Sequence, residues 1–255
     1  SGTHPRMGAT DVCPLVPIQD ISFEEVLPYV EKLGHRVGDE LDIPVYFYEK
    51  SALAPERQNL AFIRKGGYEG FQAKMLQEEW KPDAGPQRFH PQAGQTVIGV
   101  RDFLIAYNIH LDTQNTSLAN EIAREIRESG KIIQKNGVKH RVAGTCKGVK
   151  AIGWYVDEFG LAQVSTNVTD LGATPVHRVF EEVKKEAHKR GIRVRGSEII
   201  GMIPKKVLIA AGKYYEKQEN QSEESLIRGA IDQLGLSEFD LFDPSQKILE
   251  YQLKL

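Results

Sequence analysis

Cysteine is nearly absent from this 255-residue sequence: Cys13 and Cys146 are the only two, and they lie far apart. Two distant thiols argue against a disulfide scaffold and point to a reducing, cytoplasmic setting. A surplus of either charge is also missing. The 33 Lys and Arg against 35 Asp and Glu leave a formal charge of −2, so nucleic-acid binding through a basic field has no support. No apolar run approaches the roughly 18 residues a membrane span needs, and no charged-then-apolar leader is expected. Neither HExxH nor CxxC spacing occurs, so no metal is expected, and GTCKGVKAIG lacks the spacing of a phosphate-binding loop. What remains is a soluble globular chain with enough residues for one large domain or two small ones.

The plainest pattern runs from about 103 to 200. FLIAYNIHL (103–111) is short, apolar and rich in strand formers. NTSLANEIAREIRESG follows, with an Asn or Thr cap, Leu118, Ile122 and Ile126 at helical spacing, and Gly130 as a stop. VKAIGWYVD and LAQVSTNVT, separated by EFG, read as a hairpin. PVHRVFEEVKKEAHKRG is a second helix with Val179, Val183 and Ala187 on one face, and IRVRGSEIIG is a last strand. The order is β-α-β-β-α-β, an α+β ferredoxin-like unit. The basic stretch 136–150 reads as a solvated loop, with attraction for an anionic substrate tail as the alternative. The tail after Pro204 holds two helices and a closing apolar KILEYQLKL.

The first hundred residues show half of such a unit. TDVCPLVPI is an edge or irregular strand because of Pro14 and Pro17. SFEEVLPYVEKLGHRVGDEL is an amphipathic helix with a Ser22/Glu25 capping box and a kink expected at Pro28. IPVYFYE is a short strand, YEGFQAKMLQEEW a helix, and KPDAGPQRFHPQAGQTVIGVR an irregular, Gly- and Pro-rich stretch. The expectation is two subdomains, 1–100 and 101–255, the first incomplete at its N-terminus.

Two segments carry candidate chemistry. His4 sits among Gly2, Pro5, Arg6 and Gly8. It is either a plain surface residue or an imidazole placed for proton transfer, with Asp11 available to orient it. GPQRFHPQAG (Gly85, Pro86, Gln87, Arg88, Phe89, His90, Pro91, Gln92, Ala93, Gly94) is either a linker or a binding loop. In the second reading Phe89 offers a stacking face, and Arg88 and His90 can meet carboxylates. His35, His177 and His188 fall on charged helices and read as solvated. Cys13 and Cys146 read as small buried apolar residues.

HPRMGATDVCPLVP, PVYFYE, GPQRFHPQAG, FLIAYNIHL, KAIGWYVDEFGLAQVSTNVTD and GSEIIGMIP, in that order, resemble the formiminotransferase family along essentially the whole chain. The resemblance implies two ferredoxin-like subdomains, with a further β-α-β ahead of the HPR block. It implies an enzyme of histidine degradation and one-carbon metabolism, moving a formimino group from N-formimino-L-glutamate to the co-substrate tetrahydrofolate and releasing L-glutamate. It assigns His4 as the catalytic residue and Gly85–Gly94 as the folate-binding loop, and it implies a cytoplasmic homodimer. A non-catalytic folate-binding or scaffold relative, or a formyl rather than formimino donor, are the alternatives. The individual roles of Phe89 against a folate ring and of Arg88 at a glutamyl carboxylate are expectations from side-chain chemistry alone.

Overall fold

The computed structural model describes residues 6–216 and 220–255, and the chain divides into two compact units at Asp102/Phe103. In the first unit, β1 (Val12–Leu15), β2 (Val45–Phe47) and β3 (Thr96–Val100) form a three-stranded parallel sheet in the order β1-β3-β2. β1 takes the edge expected from its prolines. The centre is Thr96–Val100, buried at every position, inside the stretch expected to be irregular. The glycines and prolines of 81–95 hid the short TVIGV run that follows them, whose β-branched residues suit a central strand.

Helix α1 (Phe23–Leu41) starts at the predicted capping box: Glu25 N–H donates to Ser22 Oγ, and Ser22 N–H donates to Glu25 Oε2 at 2.8 Å. It continues through Pro28 to Asp42, a left-handed C-cap. Val26 and Val30 of α1 pack on Val45, Phe47, Ile98 and Val100, one face of the sheet. The other face holds Met7, Tyr46, Tyr48, Ile63, Phe71, Met75, Trp80 and Val97. These residues draw in the short helices α2 (Leu60–Ile63) and α3 (Gly67–Lys74). Arg57 and Asp83 meet at 2.7 Å with both side chains buried, and Asp83 also accepts the Phe47 N–H. Arg57 donates on to the carbonyls of Glu79 and Lys81. A buried pair is tolerable only with such extra bonds, and here they fix the chain just before Gly85.

The second unit follows the expected order. β4 (Ile105–Leu111), α4 (Thr116–Ile126), β7 (Val149–Val156), β8 (Leu161–Val168), α5 (Val176–His188) and β9 (Val194–Ile200) form a four-stranded antiparallel sheet, order β7-β8-β4-β9, with the two helices on one face. Asn115 caps α4 through the Ser117 N–H at 2.9 Å. Ile105, Tyr107, Ile109, Ile122, Ile126, Val164, Val179 and Val183 belong to one core cluster.

One addition departs from expectation. Residues 131–142, expected to be part of a loop, form a hairpin of β5 (Lys131–Lys135) and β6 (Val138–Val142). Its turn is Asn136-Gly137, both at positive φ, the residue pair that two-residue hairpins favour. The tail forms α6 (Lys205–Tyr215), α7 (Glu223–Leu234), α8 (Pro244–Lys247) and α9 (Leu249–Leu253). No helix among the described residues is long and apolar enough to cross a membrane.

His177 is not the solvated residue its charged neighbours suggested. Its ring stacks on Tyr214 at 4.5 Å, and burial holds its pKa below the usual value. His35 and His188 are exposed as expected. Cys146 is fully buried, with its thiol pKa raised by that burial, whereas Cys13 is only half-buried.

Candidate active site

His4 lies outside the described residues. The segment that follows it does not. Ala9 N–H donates to Ala93 O at 2.8 Å, Gln95 N–H donates to Met7 O at 3.3 Å, and Gly8 pairs with Gly94 in an antiparallel bridge. The end of the 85–94 segment is therefore zipped onto the chain just after the HPR block. Met7–Ala9 and Ala93–Gln95, nearly ninety residues apart in sequence, meet there. Gly8 and Gly94 permit it: a Cβ on Gly8 would sit 2.0 Å from Gln95 O, and one on Gly94 would sit 2.5 Å from Met7 O.

The rest of the loop is braced from within the same unit. Gly85 and Gly94 both adopt positive φ. His90 folds back on its own loop, its Nδ1 accepting the Ala93 N–H at 2.9 Å, while Gly94 N–H donates to His90 O at 2.7 Å. With Nδ1 occupied as an acceptor, the proton of a neutral ring resides on Nε2. Phe89 meets Tyr68 edge to face at 5.0 Å, and the Tyr68 hydroxyl donates to Pro91 O at 2.8 Å. Gln87 donates to Met75 O, and Arg88 pairs with the exposed Asp42. Such an exposed pair contributes little to stability and exchanges readily for another carboxylate. Asp11 has other commitments: it accepts the Met7 N–H at 2.9 Å and pairs with Arg64, so both carboxylate oxygens have partners.

Beneath this junction lies a largely apolar cavity of about 150 Å³, lined among others by Cys13, Val37, Ile43, Ala93, Thr96 and Ile98. Thr96 Oγ1 and both amide atoms of the fully buried Gln95 have no hydrogen-bond partner among the described residues. Unsatisfied buried polar groups beside a loop cost stability and suit a place where something else binds.

The second unit holds a polar cluster that the sequence reading missed. Strand alternation puts Asn108, His110, Trp154, Gln163 and Glu198 on the sheet face opposite α4 and α5. Trp154 Nε1–H donates to Gln163 Oε1 at 2.7 Å; Gln163 Nε2 then bonds to Glu198 Oε1 at 2.9 Å and to His110 Nδ1 at 3.1 Å. An indole can only donate, so it fixes the Gln163 amide and, through it, places the His110 proton on Nε2. Asn108 donates to the same Glu198 oxygen at 2.9 Å. His110 is wholly buried beneath Phe159 and Phe239, at centroid distances of 4.9 and 4.4 Å, and burial lowers its pKa against the opposing pull of Glu198. The available signal was polar residues at alternate positions in otherwise apolar strands, Asn108 and His110 in FLIAYNIHL.

That lowered pKa predicts acid sensitivity. A base whose folded pKa lies below its unfolded value, 6.5 for His, contributes stability that is present above 6.5 and lost as pH falls through the folded value. His177 shifts the same way. Each group contributes a slope of at most about 1.4 kcal/mol per pH unit. Melting followed from pH 7.5 to 5.5 should show falling Tm below about 6.5, with a shallower fall in His110→Gln. Equal slopes for both proteins would contradict this.

Sequence comparison meets this geometry at both units. Residues 1–101 match the formiminotransferase domain, N-terminal subdomain, and residues 106–254 match the formiminotransferase domain. The chain belongs to the formiminotransferase family. It is 45% identical over 219 residues to a glutamate formimidoyltransferase of Streptococcus pyogenes serotype M1, covering 86% of this chain and 69% of that protein. It is 41% identical over 256 residues to a formimidoyltransferase-cyclodeaminase of Dictyostelium discoideum, and 43% identical over 253 residues to one of Mus musculus. Those two alignments take in 99% and 98% of this chain but 46% and 45% of the relatives. The chain thus spans about half the length of these two relatives.

Proposed function

We propose that this chain transfers the formimino group of N-formimino-L-glutamate to tetrahydrofolate in the breakdown of histidine, releasing L-glutamate. The observation that carries the reading is the family match across both units, joined to the backbone pairing of Met7–Ala9 with Ala93–Gln95. His4 is the proposed general acid–base, and Gly85–Gly94 the proposed folate loop. A folate ring nitrogen attacks the amidine carbon and forms the new C–N bond. The tetrahedral intermediate then breaks its bond to the glutamate nitrogen. The attacking nitrogen loses a proton and the leaving nitrogen gains one, so one imidazole serves both halves of the reaction.

The braced loop supplies position. Phe89, held edge-on by Tyr68, offers a ring face for the folate, and Arg88 can exchange Asp42 for a glutamyl carboxylate. Holding two substrates in register supplies more of the rate than the proton transfer does. The proposed setting is a cytoplasmic homodimer acting on small molecules, with no part for nucleic acid or membrane.

A formimino donor carrying ¹³C at the amidine carbon tests the reaction type. The label should appear on folate in the NMR spectrum, one equivalent for each glutamate released. Label accumulating as free formamide or formate would mean hydrolysis and would contradict the proposal.

A further inference from the structure

Glu198 stands out in the second unit for what it lacks. Its side chain is 29% exposed, its Oε1 accepts from the neutral amides of Asn108 and Gln163, and its Oε2 accepts nothing among the described residues. No Lys or Arg of the described residues lies within ion-pair distance of it; the nearest basic group is His110 Nε2 at 3.9 Å. That nitrogen belongs to a wholly buried ring and has no hydrogen-bond partner among the described residues. Burial lowers the pKa of that ring against the opposing pull of Glu198, which disfavours an imidazolium as the countercharge. A partly buried carboxylate without a countercharge is costly unless a cation arrives to meet it.

Room exists beside it. Glu198 lines a cavity of about 190 Å³ together with Ile200, Leu236, Asp240, Phe242 and Lys247. Among the described residues the Lys247 ammonium makes a single, long hydrogen bond, 3.4 Å to Ile199 O. Two carboxylates, Glu198 and Asp240, and one ammonium, Lys247, thus border a space of small-molecule size, and Glu198 alone of the two acids is tied into the Trp154–Gln163 relay.

The two donors left open by the sequence differ in charge at one group. A formimino group on nitrogen is an amidine, a strong base that is cationic at neutral pH, whereas a formyl group is a neutral amide. Both donors carry glutamyl carboxylates. We propose that Glu198 is the specificity-determining residue that binds the amidinium of a formimino donor, with Lys247 meeting a glutamyl carboxylate across the same cavity. This rests on the formiminotransferase reading above. Charge-assisted N–H···O contacts to a planar amidinium are the strong kind, and a neutral formyl group forfeits them.

Calorimetric binding of N-formimino-L-glutamate and N-formyl-L-glutamate to the full chain tests it, with Glu198→Gln and Lys247→Met. Gln keeps an acceptor for Asn108 and Gln163, so Glu198→Gln should melt like the wild type. It should bind the formimino ligand about 10- to 100-fold more weakly and leave the formyl ligand within about threefold. Lys247→Met should weaken both ligands alike. Equal effects of Glu198→Gln on the two ligands, or none on the formimino ligand, would overturn the role of Glu198. Unchanged binding of both ligands to Lys247→Met would overturn the placement in this cavity. Failure of the wild type to bind either ligand would instead contradict the functional reading beneath it.

Discussion

Replacing His4 with Ala should lower turnover by about 10²- to 10⁴-fold while leaving folate affinity within a few fold of the wild type. The asymmetry follows from the division of labour proposed above. The reaction moves a proton off one nitrogen and onto another, and an imidazole titrates close to neutrality. In the same proposal folate is held by the 85–94 loop, whose shape depends on Gly85, His90, Gly94 and Tyr68. Asp11 is no spare base for the variant to recruit, because Met7 and Arg64 occupy both of its oxygens. Steady-state rates and folate titrations on the same preparation separate the two effects. A variant that turns over within threefold of the wild type would remove His4 from the mechanism, and one that loses folate binding in proportion to rate would make it a binding residue instead.

The second large effect is expected at Gly94. Its φ is +69°, and an added Cβ would meet Met7 O at 2.5 Å, Gly8 Cα at 2.9 Å and the Tyr68 ring at 2.9 Å. Two of those neighbours are backbone, so the junction itself must part. Gly94→Val should cost about 1–3 kcal/mol for crowding and a further 1–3 kcal/mol or so for the left-handed backbone. Folate affinity should fall with stability, since the loop is detached from the Met7–Ala9 segment. Gly137→Val is the matching control: its φ is +77° at the hairpin tip, with nothing within 4 Å of an added Cβ. It bears the backbone cost without the collision. Thermal melts of the two variants should differ clearly, Gly94→Val being the less stable, and equal melts would contradict the close approach of Gly8 and Gly94.

Local signals carried much of the fold. The Ser22/Glu25 box, the Asn115 cap and the alternating strands around Gly160 each state their element within a few residues, and each appears where expected. The parts that escaped share a physical cause. β3 is only five residues long, follows a Gly- and Pro-rich loop, and gains its identity from pairing with β1 and β2, strands more than forty residues upstream. The β5–β6 hairpin was legible in Asn136-Gly137, but the lysines and arginine of its strands suggested a solvated loop; the solvation holds, since β6 is exposed at every position, whereas the loop is a paired hairpin.

The site divides in the same way. Composition marked 85–94 as unusual, and family resemblance gave it a role, yet neither revealed that it pairs with Met7–Ala9. The Trp154–Gln163–Glu198 relay joins three strands, and no local pattern announces contacts of that kind. What the sequence did contain was Asn108 and His110, polar residues two apart in an apolar strand, pointing away from the helix-covered face.

The central claim is that this chain carries the formimino group to folate. The most direct measurement is free glutamate, assayed after incubation with N-formimino-L-glutamate in the presence and absence of tetrahydrofolate. Release that depends on tetrahydrofolate and saturates with it is the predicted result. Release at the same rate without folate, or none in either case, would contradict the claim.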